Sequence, residues 1–193
     1  MSLHKITYSN TVLALAVRPQ AGLSYQLLLI VAGSLFVALS AQIEIPMWPI
    51  PITMQTLAVL LVGGVLGSRL GALSLLAYLF EGAIGLPVFA GGGGSLAYFA
   101  GPTTGYLIGF VVAAFVVGWF CERGWDRKVG TAVFVMLIGT ATIYLFGLPW
   151  LAQFTGIEKV LQLGFFPFIP GDILKALVAA IALPIGWKLL ARK

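Results

Sequence analysis

The chain alternates between long apolar runs and short polar or glycine- and proline-rich interruptions. The runs fall at 22–43, 55–68, 70–84, 105–121, 129–148 and 173–187. The longest of them approach the roughly 20 residues that a helix needs to cross a bilayer. The second and third are short and separated only by Arg69. That spacing predicts a tight helical hairpin, tilted or partly discontinuous, in place of two full-length rods. Ahead of the first run, residues 1–21 hold Lys5, a brief apolar stretch at 12–17 and then Arg18-Pro19. The stretch is too short and too near the start for a signal peptide, so the segment reads as an interfacial, cytoplasmic lead-in. The pattern predicts an all-α integral membrane protein: lead-in 1–21, then a compact bundle of six transmembrane helices over 22–193.

Composition agrees. Of 193 residues, 60% are hydrophobic and 9% charged, and the mean hydropathy is +1.05. A soluble domain carries about 25% charged residues. The pI of 9.6 reflects cations gathered on one side of the membrane, not a nucleic-acid partner. With the N-terminus inside and six spans, the cytoplasmic side collects Lys5, Arg18, Arg69, Arg123, Arg127, Lys128, Lys188, Arg192 and Lys193. Only Lys159 and Lys175 fall towards the outside. The positive-inside rule therefore predicts N-in, C-in, in a cell inner or plasma membrane. Cys121 is the single cysteine, which excludes an internal disulfide and leaves a packing role.

This orientation sorts the acids. Glu122 and Asp126 share a loop with Arg123, Arg127 and Lys128, and read as solvated. Glu44, Glu81 and Asp172 fall at the outer ends of the first, third and sixth spans. Ionisable groups there are expensive against lipid, so they should face a cavity open to the outside or the headgroups. The stretch PGDILK, residues 170–175, puts Asp172 and Lys175 about 60° apart on one helical face. Together they read as a polar clamp on a ligand. The alternative is a helix cap at Asp172 and a snorkelling Lys175. A cap does not require the lysine, and a cation near a helix N-terminus opposes the dipole.

A second polar, flexible constellation is GLPVFAGGGGSLAYFAGPTTGY, residues 85–106. Its four successive glycines, Gly91 and Gly92 among them, allow close backbone approach or a moving lid. Phe89, Tyr98 and Tyr106 supply flat apolar faces. In PMWPIPITMQTL, residues 46–57, three prolines force an extended connection before Thr53 caps the second span. Gln55 then sits at the outer mouth, where an amide reads a polar ligand, and Trp48 reads as an interfacial anchor. Tyr78 and Glu81, on the third span, complete the candidate substrate-binding set.

Enzyme classes find no support. The only histidine is His4, which excludes an HExxH metalloprotease, and no GxxxxGK[ST] motif is present to bind ATP. Gly171-Asp172 shares two residues with the GxGD motif of intramembrane aspartyl proteases. Ile169 replaces the first glycine, however, and no second aspartate lies in a span. No metal or other cofactor is expected.

Four stretches, PIPITMQTLAVLLVGGVLG, YLFEGAIGLPVFAGGGG, GPTTGYLIGF and PGDILKALVAA, resemble in order and spacing the BioY family, the biotin-binding S-components of energy-coupling factor (ECF) vitamin transporters. The resemblance covers roughly residues 45–186, with Thr104 where the family usually has the second glycine of GPTGGY. It implies a six-helix S-component that captures biotin from outside, with Asp172 and Lys175 as the functional pair of the family's GDxxK motif. It also implies partners: a transmembrane coupling subunit and a pair of ATPases. Small residues Ser34 and Ala38 on the first span are candidate docking positions, in a looser form of the family's AxxxA pattern, with packing inside the bundle as the equal alternative. Some members are thought to operate alone, so a self-sufficient secondary biotin transporter or facilitator is the alternative.

Overall fold

The computed structural model describes residues 11–18, 20 and 22–191. His4, Lys5, Arg192 and Lys193 lie outside them. In chain order the elements are α1 (Leu13–Val17), α2 (Leu23–Ala41), β1 (Glu44–Ile45), β2 (Ile52–Thr53), α3 (Gln55–Ala83), α4 (Thr104–Glu122), α5 (Val129–Thr155), α6 (Val160–Gly164) and α7 (Ile169–Leu190). Among the described residues, α2, α3, α4, α5 and α7 are long and apolar enough to cross a membrane.

The longest, α3, is not straight. Gly67 stands at φ 87° and ψ 179°, outside helical geometry, and divides the element in two. A side chain in place of the Gly71 hydrogen would sit 3.1 Å from the Gly63 Cα, so the halves pack face to face through glycines. Gln55 and Tyr78, 23 residues apart, share a hydrogen bond; a straight helix would hold them about 35 Å apart. The expected tight hairpin is therefore present, with its bend at Gly67 instead of Arg69. Left-handed backbone at the bend is tolerable for glycine alone. Gly118 of α4 lets its backbone approach the bend, where a Cβ would come within 2.3 Å of the Gly67 carbonyl carbon and the Ser68 nitrogen.

The bend also overturns one sequence expectation. Glu122 does not lie in a solvated loop: its Oε1 accepts from the Ser68 backbone N–H at 2.7 Å and the Ser68 hydroxyl at 2.8 Å. It thereby caps the second half of α3, satisfying donors that the broken helix leaves open. Asp126 is corrected likewise. Its side chain is fully buried and accepts from the Trp187 indole N–H of α7, while the Arg127 guanidinium stacks on the Trp187 ring at 3.8 Å. Burial pushes the Asp126 carboxyl above its ordinary value of 3.8, although the Trp187 bond and Arg127 act in the opposite direction.

Helix α1 is tied into the bundle. Val12, Ala14 and Ala16 are buried; Val12 lies against Gly67, and Leu13 against Gly186 of α7. Helix α2 is more peripheral and keeps much of its apolar surface outward. Its small residues face inward: Ser34 is 0% exposed and Ala38 7%, and Ser34 donates to Glu81 Oε1 of α3 at 2.8 Å. The candidate docking positions are thus used for packing within the chain, since close approach of α2 to α3 requires small side chains there.

Candidate functional site

One end of the bundle encloses a cavity with about 630 Å³ of empty space, counting its open mouth. The start of α3, the segment after it, the start of α4, the middle of α5 and the start of α7 supply the walls. Asp172, Lys175, Gln55, Phe89, Tyr98 and Tyr106 all line it.

The polar floor is a closed network. Lys175 Nζ donates to the Thr53 carbonyl at 2.7 Å, to Thr56 Oγ1 at 3.1 Å and to Asp172 Oδ1 at 3.2 Å. Thr56 Oγ1 in turn donates to Asp172 Oδ1 at 3.0 Å, and the Tyr144 hydroxyl donates to Oδ2. Asp172 is 5% exposed and Lys175 8%. Neither half of the cap-and-snorkel alternative survives. Helix α7 begins at Ile169, ahead of the predicted start, so Asp172 lies inside its first turn and bonds to side chains. Lys175, far from reaching to a headgroup, spends all three N–H bonds inside the protein. The local reason is sequence spacing: positions 172 and 175 share a face, and that face meets α5 and the N-terminus of α3.

The network leaves defined openings. A carboxylate accepts about four hydrogen bonds; Asp172 Oδ1 holds two donors and Oδ2 one. Oδ2 can therefore accept one further N–H without rearrangement. Gln55 Oε1 accepts from Thr53 Oγ1 at 3.0 Å, and Nε2 donates one hydrogen to the Tyr78 hydroxyl at 2.7 Å. Among the described residues its second amide N–H meets no acceptor and can donate to a ligand.

Tyr78 and Glu81 stand outside the cavity. Tyr78 is fully buried behind Gln55 and passes its own hydrogen to the Val88 carbonyl at 3.1 Å, so it orients Gln55 and anchors the segment after α3. Glu81 faces α2 through Ser34, with Oε2 buried. Gly91 and Gly92 do not line the cavity either. Both adopt positive φ, 66° and 70°, in a tight 3-10 turn closed by the Phe89 N–H on the Gly93 carbonyl at 2.8 Å. The glycines fold the turn, and Phe89 and Ala90 form the wall. Phe89 is held by Tyr78, Tyr98 and Phe99 rings at 5.3, 4.7 and 5.6 Å, and it packs onto Gly82, where a Cβ would lie 2.0 Å away.

Thr56, Thr140, Ile143, Tyr144 and Phe168 also line the cavity and were not singled out in the sequence. A hydroxyl inside an otherwise apolar run was the available signal for Tyr144 and Thr140. Thr56 carries no such signal, since a threonine in the first turn of a helix beside Gln55 is ordinary.

Apolar helices around a pocket with a buried acid–lysine floor define a multi-pass membrane protein with a polar-floored cavity of the size that small molecules occupy. The BioY family profile matches residues 11–192, and the chain belongs to that family. It is 46% identical over 151 residues to the "Probable biotin transporter BioY" of Pyrococcus horikoshii, covering 77% of this chain and 89% of that protein. It is 44% identical over 153 residues to the "Biotin transporter BioY" of Rhizobium etli, covering 74% and 82%. Among solved structures it resembles the S-component for biotin from an ECF-type ABC transporter, with TM-score 0.74 and 28% identity over 86% of this chain and 92% of that one.

Proposed function

We propose that the chain captures biotin from outside the cell with high affinity and serves as the substrate-binding component of an ECF-type transporter. The observation that carries this reading is the buried Asp172–Lys175 pair on the floor of an apolar-walled cavity. Biotin offers a ureido group with two N–H donors and one carbonyl, an apolar fused ring, and a chain ending in a carboxylate. The open site on Asp172 Oδ2 matches a ureido N–H, and the spare Gln55 N–H matches the ureido carbonyl. Phe89, Tyr98 and Tyr106 are suited to cover the ring system. Tyr78 acts from behind Gln55. The names of the relatives and of the similar structure support both the ligand and the class of partner.

Counting the two halves of α3 as separate crossings gives six, with both chain ends in the cytoplasm and the cavity facing out. The positive-inside distribution supports that orientation. The protein is a transporter component with no catalytic role, and uptake energy comes from a coupling subunit and an ATPase pair in the same membrane. The test is equilibrium binding of biotin to the purified chain in detergent, beside Asp172→Asn and Lys175→Ala variants that retain their fold. Saturable binding lost in both variants is expected, and a folded wild-type chain that binds no biotin refutes the reading. Co-purification of the tagged chain with ATPase subunits from its native membrane tests the partners.

A further inference from the structure

Outside the ligand cavity lies a second, more open one. It holds about 770 Å³ of empty space including its mouth, between the proline loop at 46–51 and the segment at 97–103. Pro51, Ala90, Tyr98 and Thr103 line both cavities, so a thin wall is all that separates them. None of those four residues belongs to the Asp172 network.

The two spaces differ in charge: the inner one holds a paired acid and lysine, the outer one a carboxylate without a cation beside it among the described lining residues. The inner cavity's cation, Lys175, already has all three N–H groups bonded. Among the described residues lining the outer cavity, the only charged side chain is Glu44, whose Oε1 lies against Gly91 at the foot of the glycine turn. A molecule seated with its polar ring on Asp172 therefore has no cation waiting for its far end, and a carboxylate is waiting instead.

We propose that the outer cavity is an extension subsite that accepts the tail of amide-linked biotin bearing a primary ammonium, with Glu44 as the counter-charge. The inference rests on the biotin reading. Biotin's acyl chain leaves the ring system on the side away from the ureido group, so a ureido group on Asp172 sends the chain towards the shared wall. Conversion of the terminal carboxylate to an amide removes a like-charge contact with Glu44, and a terminal ammonium supplies an attractive one. The outer cavity is apolar apart from this acid and two hydroxyls, Tyr98 and Thr103, which suits a short methylene tail.

Competition against labelled biotin on the purified chain tests this, using N-methylbiotinamide and N-(2-aminoethyl)biotinamide as probes. In wild type the cationic amide should compete roughly threefold or more better than the neutral one at low salt, a range set by partly exposed ion pairs. The preference should shrink at high salt, fall to about unity in Glu44→Gln and reverse in Glu44→Lys. Because the readout is a ratio within each variant, a general loss of affinity does not mimic it. The wild-type salt series stands even if a variant misfolds. Binding of biotin with neither amide competing overturns the subsite and leaves biotin capture intact. A cationic preference that Glu44→Gln leaves unchanged overturns the role of Glu44, and failure to bind biotin or either amide overturns both readings.

Discussion

Replacing Lys175 with methionine isolates what the buried pair contributes. Met keeps the length and apolar stem of the side chain but removes the charge and three donors. The Nζ–Oδ1 distance is 3.2 Å, which at an effective dielectric of ~20 corresponds to an attraction of about 5 kcal/mol. The Thr53 carbonyl and Thr56 hydroxyl also lose a donor. Removing one partner of a buried pair costs about 3–5 kcal/mol, because the surviving charge is stranded. In a chain of this size each kcal/mol moves the melting temperature by ~2–4 °C, so the melt in detergent should fall by roughly 6–20 °C. The double variant Asp172→Asn/Lys175→Met leaves no stranded charge and should recover most of that loss, though neither form should bind biotin. A single Lys175→Met variant as stable as wild type, or a double variant no better than the single, would refute the argument that the two charges stabilise one another.

Three further outcomes follow from the geometry. Tyr144→Phe keeps the ring and removes the donor to Asp172 Oδ2, so biotin affinity and stability should each drop by ~1–3 kcal/mol, read by calorimetric titration and thermal melting. Glu122→Ala removes the cap on Ser68 at the far end of the bundle and should cost ~0.5–2 kcal/mol of stability; its biotin affinity should stay within experimental error of wild type. Asp126 is raised by burial above 3.8, so its folded form holds a proton more readily than the unfolded chain. Its contribution is thus most favourable below that ordinary value and is lost as pH rises through the raised one. Asp126→Asn should flatten this part of the melting-temperature profile, and an unchanged slope would place the dependence elsewhere.

Much of the site was written locally. Asp172 and Lys175 were legible because three-residue spacing puts them on one helical face whatever the rest of the chain does. Phe89, Tyr98, Tyr106 and Gln55 were found from residue type and position beside the apolar runs. Side-chain orientations that depend on a distant element were not legible. Ser34 and Ala38 face inward because Glu81 and α3 lie on that side, and Tyr78 stands behind Gln55 because α3 folds back on itself. Gly91 and Gly92 shape a turn whose neighbour is Glu44, not the ligand cavity.

The sequence by itself determined the solvent, the apolar helices and the acid–lysine pair, since hydropathy and helical period act over a few residues at a time. Tertiary structure alone decided where α3 breaks, because Gly67 is one of many glycines until Gly118 and Glu122 pack against it. It decided also that Glu122 is tied to Ser68 and that Asp126 is buried against Trp187, partners 54 and 61 residues away along the chain. Thr56 and Tyr144 reach Asp172 across 116 and 28 residues. A hydrogen bond of that separation exists only after the helices have packed, so no local pattern could have announced it.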